Sequence, residues 1–231
     1  MMPSPATAQR LVNMGGKMIP VTAKGQPDIN SILANYTDRG IWYYYYTVKI
    51  ASGATVGTQY NFFGASIGQS DPYPLTTPAP TLTKLETNIP NANFFNPPRD
   101  LILDQLGFHF EIDTRLPDIQ SFTKNCYFEF KIDDKIFFEG KLWMHPPGSG
   151  VSGVTTQTAE GTFGLGQPNM QATFRFGNFS KYIAPLQRYS LIVYFPETPL
   201  PTLLPSTGPQ GAAPGIWIIA FLKGLTDRAV Q

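Results

Sequence analysis

The sequence predicts an all-β sandwich, on three observations. Several segments alternate apolar and polar residues at period two, the pattern of a half-buried strand. Glycine and proline number 21 and 22 among 231 residues, well above the roughly 12% usual for the pair. No segment carries a long amphipathic helical pattern. With 42% apolar and 13% aromatic residues the chain has the material for a large core, which argues against intrinsic disorder. Charged residues make up only 14%, against about 25% in a typical soluble domain. The surface is therefore expected to carry unusually little charge.

Eight strand-like segments follow one another. The first is the aromatic run 41–50, IWYYYYTVKI, and the second is 58–66. In 101–112, Leu106, Phe108, Phe110 and Ile112 alternate with Gly107, His109, Glu111 and Asp113. Cys126, Phe128, Phe130 and Ile132 alternate with Tyr127, Glu129, Lys131 and Asp133, and Asp133-Asp134 then turns the chain into KIFFEGKLWM as a hairpin. Ala172, Phe174 and Phe176 alternate with polar neighbours, and 189–195 and 216–222 supply the last two segments. The final one is apolar on both faces, which predicts a central position in its sheet.

Residues 1–40 read as an extended N-terminal arm. Pro3, Pro5, Pro20 and Pro27 interrupt its periodicity, Gly15-Gly16 adds a flexible point, and Asp28 is placed to cap a short helix through Ile32, Leu33 and Tyr36. Residues 41–223 form the sandwich and 224–231 a tail. The connections 67–98, 144–170 and 196–215 are long, rich in proline and almost without charge: Asp71, Lys84 and Glu86 in the first, Glu160 in the second, Glu197 in the third. Loops of this length are functional or disordered, and disorder normally brings high net charge. These loops are therefore expected to be ordered, held by neighbouring copies.

Net charge is +1, so no global field recruits nucleic acid or an anionic membrane. One cysteine, Cys126, excludes an internal disulfide framework and a multi-thiolate zinc site; its place beside Phe128 and Phe130 predicts a buried small hydrophobe. The N-terminus has no apolar stretch of signal-peptide type, so the sequons at Asn35 and Asn178 are expected to be idle.

Catalytic chemistry finds little purchase. His109 stands on a polar strand row with Glu111 and Asp113, which reads more readily as an outward face than as a metal site. His145 lies where a strand runs into Pro146-Pro147-Gly148, a structural or interface position. Residues 148–153 match G-x-G-x-x-G but lack the preceding strand, the following helix and the distal acid that a dinucleotide site needs. Val154 in place of glycine removes Ser152 from a nucleophile elbow. Four consecutive tyrosines, Tyr43–Tyr46, place two on each sheet face and predict core and interface packing. No enzyme activity, cofactor, metal or small-molecule substrate is expected.

Eight strands, few helices and long connections fit an eight-stranded single jelly-roll sandwich with long ordered loops. Interfaces deplete charge in their cores and favour aromatics, so much of this surface is expected to be buried between copies. Candidate inter-subunit contacts are Tyr73, Phe94, Phe95, Trp143, His145, Phe163, Leu203 and Leu204. Arg10, Lys17 and Lys24, three cations without an anion across residues 1–27, are the candidate inward-facing arm contacts, touching phosphates or lipid headgroups.

The strand order, the arm and the stretch Phe94-Phe95-Asn96-Pro97-Pro98-Arg99-Asp100-Leu101 resemble the jelly-roll major capsid proteins of tailless icosahedral viruses. The hairpin FEFKIDDKIFFEGKL, the loop PPGSGVSG and the closing strand IWIIAFLKGL are similar in style to those of tailless phages, some of which enclose a membrane. The resemblance covers most of residues 41–223 and is one of pattern. It implies a shell-forming subunit without catalytic residues, located in the virion and assembled in the host cytoplasm. Its partners would be other copies of itself, minor capsid or vertex proteins, and an internal membrane or genome reached by the arm. The alternative is a receptor- or carbohydrate-binding β-sandwich module of a phage spike or vertex, stacking sugar on Tyr43–Tyr46, Trp143 or Trp217.

Overall fold

The computed structural model describes residues 10–14, 17–22, 27–29, 39–51, 57–75, 77–110, 122–142, 176, 180–194 and 215–227. Among these lie ten strands: β1 (Arg10–Met14), β2 (Lys17–Val21), β3 (Arg39–Ala51), β4 (Gln59–Phe62), β5 (Leu101–Phe110), β6 (Tyr127–Ile132), β7 (Lys135–Lys141), β8 (Lys181–Ile183), β9 (Tyr189–Tyr194) and β10 (Gly215–Asp227). A helical turn at 122–125 precedes β6.

β3 to β10 form two four-stranded antiparallel sheets, ordered β3-β10-β5-β8 and β4-β9-β6-β7. The pairings nest. β3 pairs β10, β4 pairs β9, β5 pairs β8 and β6 pairs β7, so the chain folds back on itself as one long ribbon. The additional pairs β10–β5 and β6–β9 then join alternate rungs into the two sheets. The doubly apolar closing strand β10 is central, as its sequence predicts.

The core lies between the sheets and follows from side-chain alternation. Tyr44, Tyr46, Val48 and Ile50 of β3 and Ile216, Ile218, Ala220 and Leu222 of β10 are all buried. Phe128, Phe130 and Ile132 face them from β6. Phe108 of β5 meets Phe62 of β4 and Phe128 of β6 edge-on, with ring centroids 5.8 and 5.5 Å apart, bridging the layers. The Asp133-Asp134 hairpin forms as expected, with Asp133 in the left-handed region (φ 53°). Its carboxylate accepts from Gln187 Nε2 (2.7 Å) and the Arg188 amide (3.2 Å), tying the turn to the β8–β9 loop.

Several expectations change. Within the arm, β1 and β2 pair antiparallel, with Pro20 opposite Leu11. A two-stranded ribbon leaves each strand an open edge, where proline is tolerated. Ile29 is helical directly after Asp28, and 30–38 lie outside the described residues. β3 begins at Arg39 and β10 runs to Asp227, so the sandwich overruns the boundaries drawn at 41 and 223. The segment 171–175 lies outside the described residues, but Phe176 is buried and its N–H donates to Asp104 O at 2.8 Å.

β5 carries a bulge that its alternation conceals. Lys223 faces Gln105 and Gly224 faces Leu103, leaving Asp104 as the extra residue. The bulge turns Leu101 and Leu103 into the core along with Leu106, and sends Ile102 and Gln105 to the outer face. There Ile102, Tyr182 and Ala184 form a second buried cluster, against which Ile29 and Leu225 pack.

Candidate functional site

β3 is the edge strand of its sheet, and an open edge is a template for pairing with another chain. Residues 84–88 strap it. The Thr47 amide donates to Glu86 O at 2.8 Å, and the Asn88 amide to Tyr45 O at 3.4 Å. The Asn88 side chain binds on both sides, accepting from the Tyr45 amide (2.9 Å) and donating to Tyr43 O (2.5 Å). The Thr87 hydroxyl donates to Tyr45 O at 3.1 Å, and the Tyr45 hydroxyl to Lys84 O. The strap is braced from behind, since 68–71 and 80–82 pair through Gly68 N to Leu82 O, Leu82 N to Gln69 O and Asp71 N to Pro80 O.

Beyond the strap, the start of β3 is bare. Ile41, Trp42 and Tyr43 are 63, 54 and 42% exposed, and Leu85 at the tip of the strap is 81% exposed. Lys223 of β10 sits 5.6 Å from the Tyr43 ring centroid. The outer face of this sheet continues apolar through half-buried Ile219 and Phe221. The outer face of the other sheet is polar: the Tyr194 hydroxyl donates to Glu129 (3.0 Å), and Lys131 lies 2.5 Å from the same carboxylate. Those partners hold the Glu129 carboxyl below its ordinary value.

Under the strap lies a charged group cut off from solvent. Lys49, Asp71 and Glu86 are each about 5% exposed or less. Lys49 Nζ is 3.4 Å from Asp71 Oδ2 and 4.0 Å from Glu86 Oε1, and 4.8 Å from the Trp217 ring centroid. Glu86 Oε2 accepts from the Thr83 amide (2.9 Å) and hydroxyl (2.5 Å), while Asp71 Oδ1 accepts from the Tyr73 amide at 2.9 Å. Asp71 Oδ2 accepts no hydrogen bond and faces the ammonium. Its charge and Tyr73 add to burial in pushing the Tyr46 hydroxyl well above its usual value.

Of the candidate inter-subunit residues, Phe95 is corrected. It is fully buried, with ring centroids 4.8 Å from Tyr44 and 5.1 Å from Tyr189, so its surface is spent within the core. Phe94 beside it is part-exposed. Tyr73 is largely turned inward: its oxygen accepts from the Asn61 amide (2.6 Å) and its ring lies 5.0 Å from Tyr60. Trp143, His145, Phe163, Leu203, Leu204 and Lys24 lie outside the described residues. Arg10 and Lys17 stand at opposite ends of the β1–β2 hairpin, paired with Val21 and Met14. The loop 67–98 is tied to its own sandwich through the strap.

Cys126 is buried, and burial raises its thiol far above the usual value, which leaves it protonated. His109 is half-buried on β5 opposite Ile219, and burial lowers its pKa. Among the described residues no three of His, Cys, Asp and Glu are grouped as for a metal ion. Sequence reading passed over Lys49, Asp71 and Glu86. The available signal is a lone lysine in the otherwise uncharged run 41–50, with two acids in a nearly chargeless loop. No protein family matches the chain, and neither does any curated protein or solved structure.

Proposed function

We propose that the chain is a single jelly-roll subunit that assembles with copies of itself into a closed shell, as the coat proteins of tailless icosahedral viruses do. The observation that carries this reading is the nested pairing. Numbering β3 to β10 as one to eight, the sheets run one-eight-three-six and two-seven-four-five. That order supports the reading, since a four-rung antiparallel ribbon rolled into the double Greek key of a jelly roll would have the same order. Exposed Ile41, Trp42 and Tyr43 at the start of β3 and exposed Leu85 on the strap support assembly, because aromatic, charge-poor surface is the composition of interface cores.

Light scattering after size exclusion, with negative-stain imaging of the same fractions, tests this. Particles or trimeric to hexameric capsomers are expected. A monomer at every concentration overturns the proposal. Exposed Trp42 and Tyr43 favour a second reading, a glycan-binding module, since jelly rolls also serve as lectins. Trp217 does not contribute, being buried beneath Lys49. Glycan-array binding by a small oligomer, lost in Trp42→Ala, would decide for that reading.

A further inference from the structure

The buried group beneath the strap is arranged for a covalent reaction, whether or not the chain builds a shell. We propose that Lys49 and Asp71 condense into an intramolecular isopeptide bond, with Glu86 carrying the proton. The amine is held against the carboxyl group it would attack, Lys49 Nζ being 3.4 Å from Asp71 Oδ2, and fixing two groups so replaces a bimolecular encounter. Asp71 is oriented from the far side by the Tyr73 amide on Oδ1, leaving Oδ2 toward the amine. Glu86 is positioned by Thr83 through Oε2, which leaves Oε1 turned to the same Nζ at 4.0 Å. The Trp217 ring closes the pocket on the lysine.

An ordinary surface ion pair would have no reason to react. Here the three side chains are withdrawn from water, where holding separate charges is costly, and the condensation removes two of them. A proton passes from the Lys49 ammonium to the Asp71 carboxylate, giving amine and carboxylic acid. The amine attacks the Asp71 carboxyl carbon and the new C–N bond forms. Glu86 takes a proton from that nitrogen and returns it to the departing hydroxyl, which leaves as water. The ammonium and one carboxylate become an amide and one water; Glu86 is regenerated, and no oxidant or other reactant is consumed. The product is a covalent tie from the edge strand β3 to the loop that straps it.

Intact-mass measurement on the purified, denatured full chain tests the link. The wild type is expected one water lighter than its sequence, with a branched tryptic peptide joining Lys49 to Asp71. Lys49→Arg is expected at full mass. Asp71→Asn is expected to form the same bond by losing ammonia, ending at the wild-type linked mass. Glu86→Gln is expected to slow linking at least tenfold. A wild type at full mass, with Lys49 in a linear peptide, reduces the group to a buried ion pair and overturns the proposal, as does a one-water loss located elsewhere. Because the wild-type peptide carries the test, a variant that fails to fold leaves it intact. Linking of Glu86→Gln at the wild-type rate would remove Glu86 from the reaction.

Discussion

Gly224 shows how one residue shapes a sheet. It faces the β5 bulge so closely that a Cβ there would run into the Ile102 carbonyl and come within 2.8 Å of Leu101 Cδ1. β10 is held between β3 and β5 by hydrogen bonds on both edges, so it has little room to retreat. Gly224→Ala is expected to cost about 3 kcal/mol, the upper end for overpacked sites, read as a lower urea midpoint with unchanged slope. His109 makes a different prediction. Burial lowers its pKa below the ordinary imidazole value, so the unfolded chain binds its proton first as pH falls. The stability it contributes is complete above about pH 6.5 and is lost as pH falls through the lower folded value. His109→Gln should flatten the decline in urea midpoint between pH 7 and 5, and an unchanged slope would show that another group titrates there.

The strap is the element on which the sheet edge depends. Asn88 satisfies one donor and one acceptor of the part-exposed β3 edge at once, and each such hydrogen bond contributes about 0.5–1.5 kcal/mol net. Asn88→Ala is therefore expected to lower stability by about 1–2 kcal/mol and to increase aggregation on warming, measured by light scattering beside far-UV circular dichroism. Elements differ in how plainly the sequence announces them. β6, the second half of β5 and the Asp133-Asp134 hairpin were legible because one face of each meets the core and the period-two pattern records it. β8 was not, since three residues are too short for a period to show. The β1–β2 hairpin was hidden by Pro20, and the bulge by a parity change that a run of leucines disguises. The buried triad was the least legible feature: Lys49, Asp71 and Glu86 meet only after the loop has folded back onto β3, and no local pattern encodes that distance.

At the scale of the whole molecule, the two outer faces differ in chemistry, one apolar around Tyr43 and Phe221 and the other polar around Glu129 and Lys131. On the shell reading proposed above, the unlike faces would become its inside and outside. If the chain forms shells as proposed, deleting residues 2–27 is expected to impair assembly while the circular dichroism of the sandwich persists; intact particles from that variant would overturn the role proposed for the arm. The nested ribbon has one more consequence, in time rather than in space. β10 is made last, yet it occupies the slot between β3 and β5, more than a hundred residues behind it for each. While it is still in the ribosome, both neighbours present unpaired backbone to solvent on the sides that β10 will fill. Such long-range closures are slow, so a nascent chain halted before residue 215 should be the species that chaperones capture, and a chain extended past Asp227 the one they release.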